Sequence, residues 1–344
     1  MVAAKKQARA TTIPELGRLK RSLSTLSGEV ARVQKPVDRT HLAVQAAKSV
    51  LGLPRKLSRS MASIASKSDT LHKTAIFLMP FPIVGTLAGR IAKVLRSVKS
   101  KAERAKRAAD KLDKRLAPAK DAVARVAPPV AKAKASLDRA QALLKGWHAA
   151  AETVERRAGA IVEVGEGAAE EIARVCAGIN AALAPELEII AAKRAPLTQT
   201  LDNLSAGFEG VAKAGKPIGD ALDAADELVR ALRPLEKPLD ALRKALRPIQ
   251  WALDAAAWVT RRIIDPVVNE ILKAVGLERL VRDLERKLNP LAKIVAPLER
   301  AADSVRRSVD KLRIDPAALR SLDEIPAIER RIVTAMTPLK QLAG

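Results

Sequence analysis

From Ile91 onward, apolar residues recur in alternating steps of four and three: Leu95, Val98, Ala102, Ala105, Ala109, Leu112, Leu116, Ala119, Val123, Val126 and Val130. The phase continues through Ala133, Leu137, Ala140, Leu144, Trp147, Ala151, Val154 and Ala158, and past Gly165 to Ile172, Val175, Ile179 and Ala182. After a one-residue shift it resumes at Leu183, Leu187 and Ile190, misses at Arg194, and runs through Leu197, Leu201, Leu204, Phe208 and Val211. Shorter runs of the same kind span 235–256 and 277–312. An apolar repeat of 3.5 residues held this long is the mark of helices packed on helices with a left-handed twist. Unbroken, the stretch 91–182 would be about 138 Å long at 1.5 Å per residue. Reversals are therefore expected near Gly146, Gly159–Gly167, Gly207–Gly219 and Gly276. The pattern predicts an all-α chain of long, kinked, heptad-packed helices forming an elongated bundle or a coiled coil.

Prolines punctuate that pattern. Pro118, Pro128, Pro129, Pro185, Pro196, Pro217, Pro234, Pro238, Pro248, Pro266, Pro290 and Pro297 lie in or between the runs. An interior proline removes a backbone hydrogen bond and costs about 3 kcal/mol. Several are thus expected in first turns, where proline is tolerated, with Asn289-Pro290 and Asp265-Pro266 as the clearest starts. Residues 1–73, broken by Pro14, Pro36 and Pro54, read as an irregular, basic, Ser-rich region with short helices around 16–33 and 41–51. Residues 74–90 form an apolar hinge or anchor segment. Two heptad-helical regions follow, 91–232 and the proline-punctuated 233–344.

Composition sharpens this picture. Tyr is absent and there are only three Phe and three Trp, yet 48% of the residues are hydrophobic. Ala, Leu, Val and Ile with abundant charge are ingredients of long helices rather than of an aromatic-rich globular core. The net charge of +24 is uneven. Residues 1–150 hold 32 Lys and Arg against 9 Asp and Glu, whereas residues 151–344 hold 30 against 29. A basic half implies an anionic partner: nucleic acid, an anionic membrane surface or an acidic protein. Lys99, Lys101, Arg104, Lys106, Arg107, Lys111, Lys114 and Arg115 lie off the seam of the first run and are the candidate anion-facing surface. No aromatic residue interleaves with them, so they offer no platform for stacking bases.

Within the hinge, Ile76, Phe77, Leu78, Phe81 and Ile83 form an apolar patch just before the basic run, suited to membrane contact or to packing. Thr74–Gly89 is 16 residues long with two prolines, too short and broken for a transmembrane helix. No secretory signal pattern opens the sequence, which places the chain inside a cell, in cytoplasm or organelle matrix. Cys176 is the lone cysteine, a small residue at the seam edge or an interchain disulfide between parallel helices.

Catalytic chemistry has little to stand on. His41, His72 and His148 are isolated from other metal ligands, and Val164–Ala169 has glycines but no preceding strand to make a phosphate loop. No catalytic, cofactor or metal residues are assigned. The residues point to a non-enzymatic structural or scaffolding protein. It would self-associate or pack with other helical proteins of an assembly, with residues 1–130 holding the anionic partner. A lipid-surface protein and a sequence-independent nucleic-acid binder are the alternatives.

Overall fold

The computed structural model describes residues 13–80, 85–161, 166–253 and 276–344. Among them the chain is helical with no strand: α1 (Pro14–Leu78), α2 (Gly85–Arg115), α3 (Ala117–Ile161), α4 (Glu166–Ala214), α5 (Lys216–Leu253), α6 (Leu277–Leu288), α7 (Leu291–Asp310), α8 (Pro316–Ala335) and α9 (Thr337–Ala343). They group into two compact units, each assembled from distant pieces of chain. The first takes residues 1–47, 121–209 and 310–344, and the second takes 48–120 and 210–309.

The first unit is a four-helix bundle. The antiparallel course of α1 and α3 follows from Lys20–Glu155 at 2.8 Å, Gln34–Asp138 at 2.7 Å and Lys134–Asp38 at 2.8 Å. Helix α4 runs parallel to α1, since Asn180 reaches the Glu15 carbonyl and Arg39 pairs with Asp202. Helix α8 closes the ring. It is antiparallel to α4 through Lys193–Glu324 and Arg331–Glu186, and parallel to α3 through Lys132–Asp323 and Arg139–Glu329. Asp315 caps α8 by accepting from the Ala317 N–H at 2.8 Å, with Pro316 in the first turn.

The second unit has the same plan. Helices α1 and α2 run antiparallel, with Ser58 on Asp110 and Lys99 on Asp69, both at 2.7 Å. Helix α5 runs parallel to α1 through Ser60–Asp226 and Lys67–Glu236. Helix α6 packs on both α2 and α5, and Arg115 reaches Asp303 of α7.

The seam read along α2 and α3 is the seam that is buried: every step from Ile91 to Ala158 lies inside. Beyond Ala158 the expected single phase fails. Residues 162–165 fall outside the described set and Ala168 is exposed. Ile172 and Ile179 are buried as the pattern expects, but Cys176 and Leu183 take the inward places of Val175 and Ala182, so the one-residue shift comes by Cys176 rather than at Leu183. Glu186 then takes the place expected of Leu187, because Arg331 holds its carboxylate at 2.6 Å. The charged miss in the sequence pattern, Arg194, has a partner too. Its guanidinium lies 2.7 and 2.6 Å from the two oxygens of the buried Glu29, which also accepts from Arg32.

The N-terminal expectation needs correction. Residues 14–78 are not short helices in an irregular region but one 65-residue helix that runs through Pro36 and Pro54. It carries its own seam of Leu16, Leu19, Leu23, Leu26, Val30, Val33 and Val37, then Val44, Ala47 and Leu51. Both prolines are buried on that face, so tertiary packing outweighs the lost backbone bonds. Thr40, in the same seam, sits 2.8 Å from the Pro36 carbonyl and 2.9 Å from the Leu201 carbonyl of α4.

Reversal at Gly146 and at Gly207 is also corrected, since helices run straight through both. Gly215 marks only a turn between α4 and α5, while Gly276, at φ 61, immediately precedes α6. Asn289-Pro290 does precede a helix, α7, whereas Asp265-Pro266 lies outside the described residues.

Arg139 beside Glu329 holds that carboxyl below its ordinary value of 4.5. Its contribution to α8 docking should be fully present above about pH 4.5 and be lost as pH falls through the lowered value. Acid titration followed by circular dichroism should therefore show the Glu329→Gln chain losing less stability below pH 4.5 than the parent. Equal losses would mean the pair contributes nothing.

Candidate anionic-partner surface

Helix α2 is built of small seam residues facing inward and cations facing out. Ala88, Ile91, Ala92, Leu95, Val98, Ala102, Ala105, Ala109 and Leu112 are buried in the second unit. Ala-rich seams let backbones approach closely, and Lys and Arg are good helix formers at the positions left over. The helix carries eleven Lys and Arg against three acids. Two of the predicted cations are taken up internally. Lys99 lies 2.7 Å from Asp69, which Lys73 also approaches at 3.1 Å, and Arg115 reaches Asp303 at 3.8 Å. Hydrogen bonds from Lys99 and Lys73 hold the Asp69 carboxyl below its usual range, and the same contact raises Lys99.

The other nine, Arg90, Lys93, Arg96, Lys101, Arg104, Lys106, Arg107, Lys111 and Lys114, face no carboxylate within 4 Å among the described residues. All but the half-buried Lys101 are exposed. Arg90, Lys93, Lys101, Arg104, Arg107, Lys111 and Lys114 follow the helical repeat as one stripe, with Ser97 filling its gap. At 1.5 Å per residue the stripe is about 36 Å long. In the first unit Lys20, Lys134, Arg139, Lys193, Arg194 and Arg331 are paired across helices, and its remaining cations are spread over several helices rather than gathered on one.

At its N-terminal end the stripe enters a groove of about 860 Å³ between α2 and α6. Its walls are Arg90, Lys93, Lys101 and Arg282 with Glu285, over an apolar floor of Leu87, Val94, Val281 and Leu288. Sequence reasoning began the basic surface at Lys99 and missed Arg90, Lys93 and Arg96. Their helical spacing ahead of Lys99 was the available signal. Arg282 comes from a helix far along the chain, and no local pattern could have placed it there.

The predicted apolar patch divides. Leu78 is buried in the bundle, Phe77 is half-buried, and Ile76 is 47% exposed, joined by Met79 at 42%. Phe81 and Ile83 lie outside the described residues. Of this segment, residues 74–78 are the last turn of α1, Met79 and Pro80 form a turn, 85–90 open α2, and 81–84 lie outside the described residues.

Cys176 lies in the seam of the first unit, fully buried, and burial pushes its thiol up to about 11. At pH 8 only about one part in a thousand would be thiolate, and the nucleophile is the thiolate. A thiol in denaturant is about one-quarter ionised at that pH, so labelling by a disulfide reagent should run at least about a hundredfold slower in the folded chain than in denaturant. Comparable rates in both would refute the burial.

The first unit holds a small, partly open apolar pocket of about 50 Å³ lined by Val33, Leu137, Ile190, Leu197, Ile328 and neighbours, room for a few water molecules rather than an organic ligand. Among the described residues no cluster of metal-ligating side chains occurs, and His148 merely approaches Glu152 at 3.5 Å. One helical stretch within Gly167–Lys244 has an 18-residue window long and apolar enough to cross a membrane, and 22% of that window is buried. In α4, Ile172, Cys176, Ile179 and Leu183 pack inside the first unit. The chain matches no protein-family model and no curated protein.

Proposed function

We propose that this chain is a non-enzymatic, intracellular helical scaffold that holds an anionic partner along α2. The observation that carries the reading is the uneven neutralisation of charge. Eight of the 22 Lys and Arg described in the first unit pair with carboxylates across helices, whereas on α2 only two of eleven do, and the other nine are gathered on one helix. Exposed, unpaired like charges repel one another and destabilise the fold that presents them. An anion laid along the stripe relieves that repulsion and releases counterions.

The heptad seams favour a scaffold over a self-assembling coil. Leu, Val and Ala of the seams are buried within one chain, so partner proteins would meet the outer faces instead. The backbone hydrogen bonds of these long helices are internal, which suits a rigid spacer between binding surfaces.

The test uses immobilised heparin as a generic polyanion. The parent chain should bind and elute at a salt concentration well above physiological. The fourfold variant Arg104→Glu, Arg107→Glu, Lys111→Glu, Lys114→Glu should elute at or below physiological salt with unchanged helicity by circular dichroism. Exposed substitutions of this kind change stability by only about 0.5 kcal/mol each. Equal retention of the two chains would discard the stripe as the binding surface.

A further inference from the structure

The unpaired cations of α2 do not stand alone at the N-terminal end of that helix. Two large apolar side chains, Ile76 and Met79, are 47% and 42% exposed at the end of α1 in the same unit. Met79 lies over Gly89, close enough that a Cβ there would touch its methyl group at 3.7 Å. The next residue is Arg90, which with Lys93 and Arg282 lines the groove between α2 and α6. Exposed apolar side chains are common singly, but here they adjoin a concave basic site with an apolar floor.

We propose that this end of the second unit docks on an anionic lipid surface, with Ile76 and Met79 entering the interface and the groove receiving lipid phosphates. The inference rests on the reading that α2 holds an anionic partner, and it names that partner. Charge complementarity selects an anion for the groove, and the apolar pair beside it selects a membrane over other anions. An apolar wedge with an adjacent basic cluster supplies the two signals that reversible membrane binding needs. Nucleic acid would use the cations alone. Stacking would call for exposed aromatic rings, and among the described residues the exposed large hydrophobic side chains are Leu42, Ile76, Met79 and Val333.

The experiment is co-sedimentation of the full chain with vesicles of phosphatidylcholine alone or with 30% phosphatidylserine (a composition of roughly the anionic content that attracts basic surfaces). Binding is expected only to the phosphatidylserine vesicles, weakening as salt rises. The double variant Ile76→Ser, Met79→Ser should partition at least about tenfold less while still binding heparin as the parent does. Because the replaced side chains are exposed, the variant should fold. As a second readout, Met79→Cys labelled with an environment-sensitive dye should shift to the blue on phosphatidylserine vesicles, with buried Cys176 left unlabelled. Heparin binding without vesicle binding would overturn the membrane proposal and leave the anionic-partner reading standing. The same holds if duplex DNA is bound with a steep salt slope unaffected by the double variant while vesicles are not. Failure to bind heparin, DNA and vesicles alike would overturn both.

Discussion

Replacing Phe208 by alanine should lower the stability of the chain by about 3–5 kcal/mol, the cost of removing a fully buried benzyl group from a core. Phe208 is 1% exposed, in a seam otherwise filled by Leu201, Leu204 and Val211. Long helices bend little, so the walls around it cannot close over the space left behind. That residual cavity adds to the lost transfer energy. Against the 5–15 kcal/mol of a typical domain, the loss would be plain in a urea titration followed by circular dichroism. Leu42, 69% exposed on α1, is the internal control, and its replacement by alanine should change stability by less than about 0.5 kcal/mol. A Phe208→Ala midpoint within error of the parent would mean that the ring is not packed as described.

The second large effect concerns close approach. Gly215, at the junction of α4 and α5, faces Val50 of α1 so tightly that a Cβ would overlap one γ-carbon of Val50 and lie 2.9 Å from its Cβ. Valine is stiff in a helix, with essentially one side-chain rotamer, and cannot swing aside. Gly215→Val should thus push the helices apart and destabilise the second unit by about 1–3 kcal/mol, even though valine is the better helix former. Val50→Ala in the same chain should restore most of the loss. A double-mutant cycle with no coupling between the two sites would show that they are not in contact. Gly17, Gly28 and Gly146 have open space where a Cβ would go, and they tolerate alanine on this reasoning.

The fold was legible where one physical rule governed the pattern. Along α2 and α3 the seam repeats without a break, and Leu, Val and Ala at each step mark the buried face. Along α1 the same repeat is present, but Thr40, Pro54 and Ser68 occupy buried positions and interrupt it. Local rules then favoured breaks at Pro36 and Pro54. What overrides them is packing against helices more than a hundred residues away, which periodicity within α1 cannot report. Glu186 and Arg194 show the same limit. A charge in a seam reads as a fault until its partner, Arg331 or Glu29, arrives from another helix.

The candidate site was legible in kind but not in detail. The basic character of α2 is plain in the sequence. Which cations are neutralised is not, because Asp69 and Asp303, the partners of Lys99 and Arg115, belong to α1 and α7. The apolar patch was read as continuous, yet helix geometry turns Leu78 inward and Ile76 outward two residues apart.

The discontinuous make-up of the first unit has a consequence for the ribosome. Its α1 portion ends at Ala47, while α8, the fourth wall of the same bundle, begins at Pro316. At roughly 5–20 residues per second, about 13–54 s of translation separate the two. Through that interval the seam of Leu16, Leu19, Leu23 and Leu26 has emerged while its bundle is still lacking one side. A nascent chain built this way presents a sticky amphipathic helix early and shields it late. Its yield in a cell should therefore depend on holding chaperones more than the stability of the finished bundle would imply.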